Sequence, residues 1–131
     1  MLDKDFIIPA RVQVGKKVFA LNLNGYRNAH FQTLNNAKKN FKNQLYADYP
    51  ELFKIRAQSV IVQYKITPHN NRLFDTQNIV SIVDKFFLDA LVEAGTIPDD
   101  NYKVVTYHAP IVAPVDSSLS DIMVIVYCEF Y

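Results

Sequence analysis

Cysteine is almost absent from this chain. Cys128 stands alone among 131 residues, which excludes an internal disulfide and any zinc site built from several cysteines. It falls in an apolar run near the C-terminus, where a buried strand thiol is expected rather than a catalytic one. Histidine is scarce too, and His30, His69 and His108 lack metal-ligand spacing. No apolar run approaches the ~20 residues that span a bilayer, so no membrane partner is expected. The N-terminus, Met1-Leu2-Asp3-Lys4-Asp5, mixes acids with a base and lacks a signal-peptide pattern, so a cytoplasmic protein is expected. Repeats, low-complexity tracts and internal linkers are missing. Neither sign of charge dominates: 14 Lys and Arg stand against 13 Asp and Glu, a net charge of +1. Proteins that grip many phosphates are usually basic, because counterion release supplies much of the affinity. Nucleic-acid binding would therefore need positive charge gathered on one face. What remains, 50% hydrophobic and 21% charged, is the composition of one ordinary globular domain spanning residues 1–131.

Hydrophobic spacing predicts the order β-β-α-β-α-β-β. Residues Phe6 to Val14 read as one strand, apart from Pro9 and Arg11, and Gly15-Lys16 as a turn into a second strand from Lys17 to Leu23. Asn22 to His30 reads as a polar connector, either plain loop chemistry or a fixed loop presenting Arg27 and His30 to a ligand. From Phe31 to Tyr46, Leu34, Ala37, Phe41 and Leu45 form a helical stripe. Lys38, Lys39, Lys42 and Asn43 lie opposite, as a solvated face or, with Lys16, Lys17 and Arg27, as part of a phosphate-binding surface. Ala57 to Thr67 reads as an inner strand covered on two faces, because both of its alternating sets are partly apolar. A second helix runs from about Thr76 to Ala94, capped by Asp75 or Thr76 and closed by Gly95. Tyr102 to His108 and Asp121 to Tyr131 are the last strands, joined by a loop from Ala109 to Ser120. The expected class is α+β: one mixed sheet with two helices packed on it.

Chemistry-bearing residues gather around the second helix. Ile79, Ile82, Val83, Phe86, Ala90 and Ala94 are its expected buried face, while Asn78, Ser81, Lys85 and Asp89 align on another side. Leu88 and Val92 fall on that polar side, which predicts a partner subunit covering them. Clustered acids beside a basic surface suit metal-dependent phosphodiester cleavage, since Mg²⁺ favours carboxylate oxygen. Asp75 and Asp100 flank a helix some 25 Å long at ~1.5 Å per residue. They meet only if the chain returns, or if a second subunit supplies one of them. The alternative stands beside this: Asp75 is a good N-cap, Asp99-Asp100 an ordinary turn, and Lys85 with Asp89 an intrahelical pair.

These residues carry a family likeness. Arg72 and Asp75 with Asn78, then Lys85, Asp89-Ala90-Leu91, Gly95 and Asp99-Asp100, resemble in order the RusA family of Holliday junction resolvases, common in phages and prophages. Leu21-Asn22-Leu23-Asn24-Gly25-Tyr26-Arg27-Asn28 is similar to the family's N-terminal segment. The resemblance implies a RusA-like α+β homodimer that binds branched DNA, the four-way junction, and cuts it with Mg²⁺, Mn²⁺ being able to substitute. It implies Asp75 and Asp100 as metal ligands with Asp99 as a secondary acid, Lys85 near the phosphate and Asn78 in support. DNA contacts would come from Arg27, Lys16, Lys17, Lys38, Lys42 and Arg72. A phage-encoded member would work in the host cytoplasm. Gln77, however, stands where the family carries a second acid, and the stretch from Asn78 to Asp89 is about one helical turn longer than in the family. A neutral amide weakens Mg²⁺ binding. The alternative is a catalytically weakened homologue that binds junctions without cleaving them.

Overall fold

A computed structural model describes residues 1–131. In chain order it contains β1 (Leu2–Ile8), β2 (Arg11–Val14), β3 (Lys17–Ala20), α1 (Leu23–Asn28), α2 (Phe31–Asp48) and a short 3-10 helix (Pro50–Phe53). There follow β4 (Val60–Thr67), α3 (Thr76–Glu93), β5 (Val105–Tyr107), β6 (Ile111–Val112) and β7 (Met123–Phe130). The chain is one α+β domain with a mixed sheet, and it has three α-helices where two were expected. No helix is long and apolar enough to cross a membrane.

The main sheet runs β1-β7-β4-β5, with β6 lying beside β4 further along. Both β1 and β4 pair antiparallel with β7, while β5 and β6 run parallel to β4. Strict alternation makes this sheet two-faced. Val124, Val126, Cys128 and Phe130 of β7 are buried beside Val60, Val62, Tyr64 and Ile66 of β4. The residues between them point to the opposite face, where no helix packs. Only one face of β4 is therefore covered, not the two that its sequence implied.

The predicted first strand is two. Pro9, with no N–H to donate, sits where the chain leaves the main sheet, and β2 then pairs with β3 in a separate hairpin turning at Gly15-Lys16. That hairpin packs on α2, where Asn40 Nδ2 donates to the Gln13 carbonyl at 2.7 Å. The helix stripe behaves as its spacing predicts, and Ala37, Phe41 and Leu45 are buried.

Helix α3 is the central element. It packs against α1 and α2 as well as the sheet, and Val80, Phe87, Leu88 and Leu91 are buried together with Ile82, Val83, Phe86 and Ala90. A helix enclosed by several neighbours becomes apolar over most of its circumference. That corrects the expectation for Leu88, which is 3% exposed within the single chain and needs no partner subunit to cover it; Val92 packs half-buried against the same core. The helix closes in a Schellman motif: Thr96 N–H donates to the Leu91 carbonyl at 2.9 Å and Gly95 N–H to the Val92 carbonyl at 3.0 Å. Gly95 supplies the left-handed residue this requires, at φ +77. Thr96, fully buried, satisfies its hydroxyl on the Leu52 carbonyl at 2.7 Å.

Candidate functional site

The N-terminus of α3 is built by side chains capping backbone. Asp75 is the N-cap: its carboxylate accepts from Gln77 N–H at 3.1 Å, satisfying one of the donors that the first helical turn leaves free. Asn78, one turn in, uses its Oδ1 to accept from Leu23 N–H at 2.9 Å. That bond ties α3 to the first residue of α1. Asn22 caps α1 by accepting from Gly25 N–H at 2.8 Å. The approach of α1 to the preceding strand is so close that a Cβ on Gly25 would stand 2.5 Å from the Ala20 carbonyl oxygen, so only glycine fits. The polar connector expected between Asn22 and His30 is thus a short helix, held in place from α3. His30 ends the connection as the N-cap of α2, its Nδ1 accepting from Gln32 N–H.

This arrangement brings the two sequence segments of the family likeness together. Asn22 and Asn24 line an open groove of about 600 Å³ with Arg72, Asp75 and Asn78. Arg11 and Asp121, paired at 2.6 Å, line it too. Lys85, Asp99 and Asp100 are not among its lining residues. Lys85 lies farther down α3, its Nζ 5.8 Å from the Tyr26 ring of α1. Asp99 is committed to its own turn, accepting from Asp100 N–H and Asn101 Nδ2 at 2.8 Å each, and these bonds hold its carboxyl below the usual range.

The acid that sequence reading missed is Asp84. Its Oδ1 accepts from the Tyr64 hydroxyl of β4 at 2.5 Å and its Oδ2 from the Tyr107 hydroxyl of β5 at 2.6 Å. One carboxylate thereby links α3 to two neighbouring strands. Burial pushes the Asp84 carboxyl above its ordinary value, and the charge of Asp100 adds to this; the two phenol hydrogen bonds and Lys85 pull the other way. Burial and the Asp84 carboxylate also raise both tyrosines. Asp100 has returned far enough for its charge to reach Asp84, but Asp84 lies nine residues beyond Asp75, about 13 Å along the helix at 1.5 Å per residue. The signal for Asp84 was its setting: an acid in Ile82-Val83-Asp84-Lys85-Phe86-Phe87, facing a strand whose buried Tyr64 needs an acceptor.

No group of three or more Asp, Glu, His or Cys side chains stands close enough to hold an ion within one chain. Asp75 serves a helix cap, Asp99 a turn, and the charge of Asp100 acts on Asp84.

Charge is distributed unevenly. Residues 6–47 contain seven bases (Arg11, Lys16, Lys17, Arg27, Lys38, Lys39, Lys42) and no acid, whereas residues 73–102 contain six acids and only Lys85. The acid-free stretch is the hairpin, α1 and α2. Lys16, Lys17 and Arg27 are exposed there. Lys38, Lys39 and Lys42 line a shallow depression of about 360 Å³ with Asn35 and Asn43. Lys42 is engaged with Glu93 at 2.6 Å.

No family model matches the chain, and no curated protein matches it significantly.

Proposed function

We propose that this chain is a RusA-like protein that binds four-way DNA junctions as a homodimer, with little or no cleavage of its own. The observation that carries the reading is the segregation of charge: seven bases without one acid across residues 6–47, in a chain whose net charge is only +1. Phosphates would be gripped by Lys16, Lys17, Arg27, Lys38 and Lys42, with Arg72 contacting DNA from the groove at the α3 N-terminus. Such contacts position a duplex without reading its sequence, which suits recognition of a branched shape. Asn78 acts in this reading as a positioning residue that holds α1, and with it Arg27, in place, while Asp75 caps the helix that carries Asn78. Weak or absent cleavage is supported by Gln77 at an expected acid position.

The test is incubation of the purified chain with a synthetic four-way junction and with linear duplex, in Mg²⁺ and in Mn²⁺. The reading predicts a retarded junction complex and intact strands. Paired symmetric nicks would instead establish the Mg²⁺-dependent endonuclease. Absence of binding to every DNA would remove the nucleic-acid role.

A further inference from the structure

The depression on α2 is built from donors and closed by one acid. Asn35, Lys38, Lys39, Lys42, Asn43 and Tyr46 recur every three or four residues and share the face opposite buried Ala37, Phe41 and Leu45. Three ammonium groups and two carboxamides can all donate there to phosphate oxygen. Lys38 and Lys39 form no ion pair. The acid comes from another element: Glu93, the last residue of α3, brings its Oε2 to 2.6 Å from Lys42 Nζ.

Glu93 stands against local preference. The C-terminal end of a helix carries the negative end of its dipole and disfavours an anion, and the last turn of α3 has no base of its own to compensate. Departures of this kind gather at functional sites, and the partner that Glu93 has is Lys42. The pair is also easily opened. Exposed ion pairs contribute little, and the Glu93 side chain is 59% exposed against 23% for Lys42, so the carboxylate can turn to solvent while the ammonium stays over the depression. Tyr46 stays out of the exchange, its hydroxyl donating to the Ala90 carbonyl at 2.7 Å. Burial, then the charges of Glu93 and Asp89, raise that hydroxyl to about 12, which keeps it protonated.

We infer that this depression is a subsite for one backbone phosphate of DNA, and that Glu93 is its internal competitor, holding Lys42 until a phosphodiester displaces it. A carboxylate and a phosphate make the same charge-assisted bond to an ammonium, and two anions on Lys42 repel, so binding of one expels the other. The subsite rests on the DNA-binding reading above and adds to it a limit on affinity that the chain imposes on itself.

Titration of linear duplex DNA with the full chain, followed by fluorescence anisotropy, tests it. Glu93→Gln is expected to tighten binding about fivefold, the upper end of what an exposed ion pair holds. Asp89→Asn makes the same change of charge one turn earlier on α3, without a lysine partner, and is expected to tighten it less than twofold. Glu93 and Asp89 are both exposed, so both variants are expected to fold. In a Lys42→Gln background the gain from Glu93→Gln should shrink to that of Asp89→Asn. Glu93→Gln no tighter than Asp89→Asn, or a full gain that survives Lys42→Gln, would overturn the competitor while wild-type binding to DNA left the DNA-binding reading standing. Failure of wild type and Glu93→Gln alike to bind any DNA would remove both.

Discussion

Removal of the Asp84 carboxylate has a calculable consequence, because its two hydroxyl donors differ in access to water. Tyr64 is 2% exposed, so after Asp84→Ala its hydroxyl has no acceptor, whereas Tyr107, at 50% exposed, turns to solvent. An orphaned buried hydroxyl costs about 1–3 kcal/mol. Relief from holding a carboxylate in a desolvated place near Asp100 offsets part of the lost bonding. Asp84→Ala is therefore expected to destabilise by about 2 kcal/mol. Tyr64→Phe removes the same bond without leaving an orphan, and costs about 1 kcal/mol. In the double variant the orphan is gone, so the two losses do not add: the total stays near about 2 kcal/mol, a coupling of about 1 kcal/mol. Urea unfolding followed by circular dichroism reads all three. Strict additivity would refute the claim that this bond anchors α3 to β4.

The same carboxylate fixes a sign in pH dependence. Its folded value is raised above 3.8, so the folded state holds this proton more tightly than the unfolded chain. Stability from this group is full below that ordinary value and is lost as pH rises through the raised one. Asp84→Asn is expected to abolish that acid-side slope in unfolding measurements, and an unchanged slope would assign it to another group. Gly95→Ala forces a side chain into the left-handed conformation at φ +77 and should cost about 1 kcal/mol by thermal unfolding, although the space around it is open enough for a methyl. Asn78→Ala removes the acceptor of Leu23 N–H and should free α1, read as faster amide exchange at residues 23–28, for about 1 kcal/mol of stability. Replacing Lys16 and Lys17 together by Ala should flatten the dependence of log affinity on log salt by about 2, near 0.9 per phosphate contact.

How much of this was legible in the sequence depends on whether a feature is local. The helix from Thr76 has its N-cap at Asp75 and its stop at Gly95, both set by neighbours along the chain, and both stand where the sequence put them. The Gly15-Lys16 hairpin and the α2 stripe were readable for the same reason. Helix α1 was not: six residues rich in Asn and Gly have little helical propensity, and a bond from Asn78, 55 positions away, holds them. The break at Pro9 between β1 and β2 is marked by a residue that edge strands also tolerate. Two-residue β6 is defined only by its parallel pairing with β4. Leu88 was misassigned because a helical projection assumes one buried face, and α3 has neighbours on several. The groove was half legible. Arg72, Asp75 and Asn78 are close in sequence, but their meeting with Asn22 and Asn24 is tertiary, as is the pairing of Asp84 with two tyrosines.

The central claim is the proposal that a nearly neutral chain, with seven bases and no acid across residues 6–47, binds branched DNA. Its most direct test is the affinity of the wild-type protein for a four-way junction and for linear duplex of the same composition, titrated across salt. Tighter binding to the junction, falling steeply as salt rises, is the predicted result. Affinity that is indifferent to salt, or equal for both DNAs, would contradict it.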